Sequence, residues 1–97
     1  MRPEELGDNA KKASKLLKSM GNEKRLLILC QLVENELSVG AIEKLVDLSQ
    51  SALSQHLARL RSDGYVKTRR EAQTIYYSIN GEETKKIMGT LHSIYCT

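Results

Sequence analysis

Leucines recur at helical spacing between Ser49 and Ser62, at positions 53, 57 and 60. At about 100° per residue these three side chains share one face of a helix, so this face is expected to pack against a core. Ser49 is a favourable N-cap, and Asp63-Gly64 is a favourable place for a helix to end. The pattern predicts a helix over 49–62 with one buried face.

The N-terminal third of the chain contains two further helical patterns. Apolar residues recur from Glu4 to Met20, and the pair Gly21-Asn22 interrupts them. Because Asn is a good N-cap, a second helix is expected to begin at Asn22 and to continue to Val33.

Two more helical segments lie on either side of the helix predicted at 49–62. A short helical pattern starts at Ser38 and is joined to it by Asp47-Leu48-Ser49. A last helix is predicted to begin at Asn80, because Glu83 follows three residues later, as in a capping box.

The segment 65–79 changes to a β-prone composition. Two runs rich in Val, Thr, Ile and Tyr flank the short turn Ala72-Gln73, which predicts a β-hairpin. The predicted fold is mainly α with a β-hairpin wing: four helices, two strands and a fifth helix. This order is the layout of a winged helix-turn-helix, in which the helix at 49–62 is the recognition helix.

The outer face of that helix carries short polar side chains instead of the Glu and Lys of an ordinary solvated face. Ser and Gln allow a helix to enter the major groove of DNA and to hydrogen-bond to base edges. The alternative is an ordinary amphipathic helix whose solvent-exposed face carries Ser and Gln without binding DNA. The predicted base-reading residues are Gln50, Ser51, Ser54 and Gln55.

Positive charge is concentrated on the hairpin and on the end of the recognition helix. A basic hairpin reaching along the duplex neutralises phosphates or enters a narrow minor groove. The alternative is that the charges only prevent association between sheet edges. The predicted backbone or minor-groove contacts are Arg59, Lys67, Arg69, Arg70 and Gln73.

The length and composition of the chain restrict the class of protein to which it can belong. The chain has 97 residues, is 40% hydrophobic and carries a net charge of +3, which fits a single domain over 1–97. We identify no leader, membrane segment or catalytic motif, so we expect a cytoplasmic protein that is not an enzyme and needs no cofactor. A domain this small is expected to bury its first and last helices by pairing them across a two-fold axis, as a homodimer on a two-fold symmetric operator.

The chain has two cysteines, Cys30 and Cys96, and neither belongs to a metal-binding spacing. An isolated cysteine within an apolar helix is by default a buried, inert thiol. A last helix that folds over the second helix would instead bring Cys96 towards Cys30, and the pair would then form a reversible dithiol switch.

Five segments together resemble the ArsR/SmtB family of winged-helix repressors, and within it the branch of BigR and HlyU. They are 22–30, 36–40, 48–57, 70–74 and 91–96, and they include both cysteines. The resemblance implies DNA reading by the recognition helix and wing. It also implies that Cys30 and Cys96 are a sensing dithiol that reacts with persulfides or other reactive sulfur species and then releases the operator.

Two other functions within the family remain open. One metal site of the family uses cysteines in the segment matching 36–41, where this chain has Ser38 and Gly40, and another uses a pattern that Gly81, Glu82, Glu83 and His92 do not reproduce. No metal ligand is therefore predicted, although two thiols and one His leave a metal-responsive repressor possible. The other alternative is a DNA-binding antirepressor or activator that is indifferent to thiol state.

Overall fold

A computed structural model describes residues 2–95 of the chain. Within this part it contains five helices and three short strands. In chain order they are α1 (Pro3–Met20), α2 (Glu23–Gln31), β1 (Leu37–Ser38), α3 (Val39–Leu45), α4 (Gln50–Ser62), β2 (Val66–Glu71), β3 (Thr74–Ile79) and α5 (Glu82–Tyr95). No helix in 2–95 is both long enough and apolar enough to cross a membrane.

The predicted helix starts at Asn22 and Ser49 are confirmed by side-chain capping. The Asn22 side-chain oxygen accepts hydrogen bonds from the backbone N–H groups of Lys24 and Arg25, both at 3.0 Å. The Ser49 hydroxyl accepts from the N–H of Ala52 at 3.1 Å. These bonds satisfy N–H groups that have no partner inside the helix.

The prediction that Asn80 begins the last helix is wrong. Its side-chain amide donates to the carbonyl of Gly64 at 2.9 Å, so it ties the end of the hairpin to the turn after α4. Gly81 then adopts a φ of +92°, which Gly tolerates, and α5 begins at Glu82. The second helix is also shorter than predicted, because it ends at Gln31 and Leu32 is its C-cap.

The hairpin forms with the predicted turn and gains a third strand. β2 and β3 pair antiparallel from Val66–Ile79 to Glu71–Thr74, so Ala72 and Gln73 form a two-residue turn. β1 pairs with the other edge of β3, which gives the sheet order β1-β3-β2. The two residues of β1 were not predicted as a strand, since so short a segment has no recognisable alternation.

The core lies between the helices and the inner face of the sheet. Ile28, Leu29 and Met88 bring α2 and α5 into this core, and Leu53 and Leu60 bring α4. A recognition helix anchored in this way is fixed both in position and in rotation.

Candidate nucleic-acid interface

The rotation of α4 determines which of its side chains face solvent. Leu53, Leu57 and Leu60 are buried, so the opposite face of the helix points outward. Gln50, Ser51, Ser54 and Gln55, the predicted base-reading residues, are all exposed. Their amide and hydroxyl groups thus form a polar surface on the N-terminal half of α4.

The wing directs alternate side chains to opposite faces of the sheet. Arg70 lies opposite Ile75, and two residues back Thr68 lies opposite Tyr77, so these four share one face. Tyr77 borders a groove with Ser54 of α4, which identifies this as the face on the side of the recognition helix. Arg70 is exposed there and has no ion-pair partner within 4.0 Å among the described residues.

The groove between α4 and the sheet has a volume of about 450 Å³ and also contains Arg61. Arg61 was not predicted as a site residue. Its helical position was informative: Arg61 follows Ser54 by seven residues, two turns of helix, and therefore lies on nearly the same face. Arg61 adds a cation to the polar surface.

The adjacent Arg69 lies on the other face of the wing, where two carboxylates hold it. Its guanidinium donates to both carboxylate oxygens of Glu36, at 2.6 to 3.2 Å, and to Glu71 at 2.7 Å. It also lies over the ring of Tyr76, 4.6 Å from the centroid. The hydrogen bond from Arg69 is the main reason that the pKa of Glu36 is lowered, and Glu36 and Glu71 in turn raise the pKa of Arg69.

The other predicted contacts have different surroundings. Arg59 pairs with Asp63 one turn along α4, with Nε 3.6 Å from a carboxylate oxygen. Lys67 is exposed on the same face of β2 as Arg69, and its charge also helps to lower the pKa of Glu36. Gln73 is exposed in the turn and borders a second groove near the start of α3.

Cys30, one of the two predicted sensing residues, belongs to α2. Cys30 is half-buried in α2 and packs against the core together with Ile87 and Leu91 of α5. Cys96, the other predicted sensing residue, lies outside the described residues. Near the same pair of helices, His92 Nε2 is 3.9 Å from a carboxylate oxygen of Glu34. Within residues 2–95, no three His, Cys, Asp or Glu side chains converge where they would hold a metal ion.

A buried leucine face, an outward polar face and an adjoining wing define α4 as the recognition helix of a winged helix-turn-helix regulator. A family model for bacterial regulatory proteins of the arsR family matches residues 22–68. The transcriptional activator HlyU from Vibrio cholerae is 54% identical over 96 residues, which cover 99% of this chain and 89% of HlyU. The chain belongs to the ArsR family.

Solved structures agree with this assignment. Reduced HlyU from Vibrio cholerae has a TM-score of 0.92 at 55% identity and covers 96% of this chain and 98% of its own. The transcriptional repressor BigR from Xylella fastidiosa has a TM-score of 0.86 at 35% identity, with 100% and 99% covered. A winged helix-turn-helix domain of Mb0332 from Mycobacterium bovis, described as homodimeric, has a TM-score of 0.80 at 27% identity, with 96% and 86% covered.

Proposed function

We propose that this ArsR-family regulator is a homodimeric repressor that binds a two-fold symmetric operator and releases it when the dithiol Cys30/Cys96 reacts with reactive sulfur species. The observation that carries the DNA-binding part is the exposed Ser/Gln surface of α4, beside a wing whose face towards α4 carries Arg70, a cation with no ion pair among the described residues. Both features serve recognition of a duplex, because base edges are read by hydrogen bonds and phosphates by cations.

The proposed contacts fall into two groups. Gln50, Ser51, Ser54 and Gln55 read base edges in the major groove, where a Gln side chain can pair with adenine through two hydrogen bonds. A second group of residues contacts the phosphate backbone or the minor groove of the DNA, and Arg61 is added to this group. This second group consists of Arg59, Arg61, Lys67, Arg70 and Gln73. Arg69, the remaining predicted residue, is held by Glu36 and Glu71.

Exposed apolar residues on the first and last helices support a homodimer. Leu6 and Leu17 of α1 are 59% and 57% exposed, and Ile94 and Tyr95 of α5 are 60% and 79% exposed. Large apolar side chains so exposed are expected to be covered by another surface. Pairing α1 and α5 with a second copy covers them and gives two recognition helices for two half-sites. The relative Mb0332, which is described as homodimeric, supports the formation of a dimer.

The proposed sensing reaction is a thiol–persulfide exchange. One cysteine thiolate attacks the outer sulfur of a low-molecular-weight persulfide, so a protein persulfide forms and a thiolate leaves. The second thiolate then attacks the inner sulfur of the protein persulfide, which forms a disulfide and releases hydrosulfide. If both cysteines are persulfidated first, their condensation forms a trisulfide and releases hydrogen sulfide.

The position of Cys30 supports a link between this reaction and DNA binding. Cys30 lies in α2, which contacts α5, and Cys96 directly follows Tyr95 at the end of α5 in the sequence. A bridge would tie α5, a helix proposed to form the dimer, to the helix that precedes the DNA-binding unit. A bridge that disfavours the DNA-competent dimer by about 3 kcal/mol lowers its affinity roughly 150-fold.

A second candidate function is an activator or antirepressor that binds DNA regardless of thiol state. It is favoured by HlyU, a relative at 54% identity that is named a transcriptional activator. The repressor function is favoured by BigR, which is named a transcriptional repressor. The two candidates differ in whether modification of the thiols changes DNA affinity.

The test begins with a duplex of about 30 base pairs enriched from a random pool by the reduced, metal-free protein, long enough for two half-sites one turn apart. The affinity for this duplex is measured before and after treatment with a low-molecular-weight persulfide, and intact mass reports the bridge. The sensor function predicts a large loss of affinity that Cys30→Ser and Cys96→Ser each abolish. Equal affinity before and after bridging would contradict it and favour the activator, whereas release by stoichiometric zinc would favour metal sensing.

A further inference from the structure

We infer that Glu36 is a positioning residue for the wing, and that Arg69 serves as its partner instead of contacting phosphate. This inference rests on the proposed DNA-binding function. It concerns a different property, the orientation of the wing relative to the recognition helix. The Glu36–Arg69 contact is called the wing clamp below.

The geometry of the wing clamp is that of a directional contact. Three N–H···O contacts join the Arg69 guanidinium to the two oxygens of Glu36, and the shortest is 2.6 Å. Glu71 holds a third guanidinium nitrogen, and the ring of Tyr76 lies against the guanidinium. A forked, charge-assisted contact with a stacked plane restricts orientation far more than a single ion pair does.

Glu36 lies in the segment that leads into the helix-turn-helix, whereas Arg69 lies in strand β2 of the wing. Glu36 directly precedes β1, in which Ser38 pairs with Tyr76 of β3. The Ser38 hydroxyl also accepts from the N–H of Ala41 at 3.1 Å, so the same residue caps α3. The wing clamp therefore joins the outer strand β2 to the segment that starts the helix-turn-helix, across the strand between them.

The wing needs such a connection because only its base rests on the core. Val66 and Ile79 are buried there, while residues 69–75 are exposed. A two-stranded hairpin is marginally stable by itself, and its tip is free to twist. Exposed ion pairs contribute little to overall stability, so the expected effect of the clamp is on the direction of the wing.

The same geometry implies different roles for the adjacent residues Arg69 and Arg70. Arg69 is compensated by two carboxylates on one face of the wing, and Arg70 is directed to the face of α4 with no ion pair among the described residues. A cation already held by two acids releases few counterions from DNA, whereas an uncompensated one adds a full contact. The salt dependence of binding therefore distinguishes them.

The first experiment compares Glu36→Gln with Glu34→Gln in the full-length protein. Both changes remove one acid from the same loop, but Glu34 pairs with His92 and not with Arg69. The measured quantity is the affinity for the enriched duplex divided by the affinity for a duplex of shuffled sequence. Loss of a contact that sets register is expected to lower this ratio about tenfold for Glu36→Gln and less than about twofold for Glu34→Gln. Equal effects would mean that only net charge matters and would overturn the inference.

The second experiment compares Arg69→Ala with Arg70→Ala. With two wings per dimer, Arg70→Ala is expected to reduce the slope of log affinity against log salt by about 1.8, and Arg69→Ala by less than half of that. An equal reduction for Arg69→Ala would restore Arg69 as a phosphate contact.

Amide hydrogen exchange in residues 66–79 without DNA is expected to be faster in Glu36→Gln than in Glu34→Gln; unchanged exchange would overturn the clamp. If the wild type enriches no duplex, the DNA-binding proposal fails and the exchange result still decides the clamp.

Discussion

Individual basic residues of this protein differ mainly in what surrounds their charge. Arg25 is 8% exposed, and its Nε–H donates to the carbonyl of Ser19 at 2.7 Å at the end of α1. There the cation is favourably placed, because the last carbonyls of a helix lack internal partners and carry partial negative charge.

His56 is half-buried in α4, and burial together with the charges of Arg25 and Arg59 lowers its pKa.

His56 is expected to make stability depend on pH. Since its pKa is lower in the folded than in the unfolded protein, the unfolded chain binds more protons below the unfolded pKa of about 6.5. Stability contributed by neutral His56 is therefore complete above that value and is lost as the pH falls below it. The Tm is expected to decrease between about pH 7.5 and pH 5.5, and this decrease is expected to be smaller in His56→Gln than in the wild type. An unchanged pH dependence in His56→Gln, with His92→Gln as the control, would contradict this prediction.

Arg25→Ala is expected to destabilise the protein by about 2 kcal/mol, because it removes a charge-assisted hydrogen bond to the buried carbonyl of Ser19 at the end of α1. The measurement is urea unfolding at a fixed protein concentration. Lys11→Ala, on the exposed side of α1, is the control and is expected to change stability by less than about 0.5 kcal/mol. Equal effects of the two substitutions would show that the Arg25 contact contributes nothing specific.

At the scale of elements, local signals located the helices and the hairpin but did not decide every boundary. Asn22 and Ser49 cap helices as predicted, since the bonded N–H groups lie two or three residues away. Asn80 satisfies the same local rule, yet its amide is bound by Gly64, sixteen residues earlier in the chain. A cap can be predicted only when no tertiary partner competes for the side chain.

The hairpin turn contains a correctable strain. Ala72 has a φ of +55° at the first central position of the two-residue turn, where glycine is the preferred residue of a type II′ turn. Ala72→Gly is expected to raise the free energy of unfolding by about 1 kcal/mol because it removes the clash of Cβ in left-handed backbone. Gln73→Gly is the control: Gln73 is not in the left-handed region, so glycine there is expected to give no gain. Urea unfolding of both variants checks this, and stabilisation by Gln73→Gly alone would refute it.

At the scale of the whole molecule, a single chain leaves pairs of large apolar side chains exposed on its first and last helices. They are Leu6 and Leu17 of α1 and Ile94 and Tyr95 of α5. The predicted homodimer accounts for them, and it also supplies the second recognition helix that a symmetric operator requires. Dimerisation and DNA binding are therefore expected to be lost together when this surface is disrupted.

Leu17→Glu is expected to convert the dimer into a monomer, because pairing would bury an uncompensated carboxylate. The matched control is Leu45→Glu: Leu45 is 51% exposed, similar to Leu17, but lies on α3. Sedimentation equilibrium measures the outcome. A Leu17→Glu variant that remains dimeric would place the interface elsewhere, and a monomeric wild type would contradict the homodimer.

The sequence by itself determined the order of the five helices and the hairpin, the recognition helix with its exposed Gln50, Ser51, Ser54 and Gln55, and the turn of the wing. These features depend on periodicity and on contacts within a few residues, which the sequence displays directly. Tertiary structure alone decided that Arg69 is held while Arg70, its neighbour, is directed to the face of α4. The reason is physical: Glu36 is 33 residues from Arg69 in the chain, and only the pairing of β1 with β3 brings the two together.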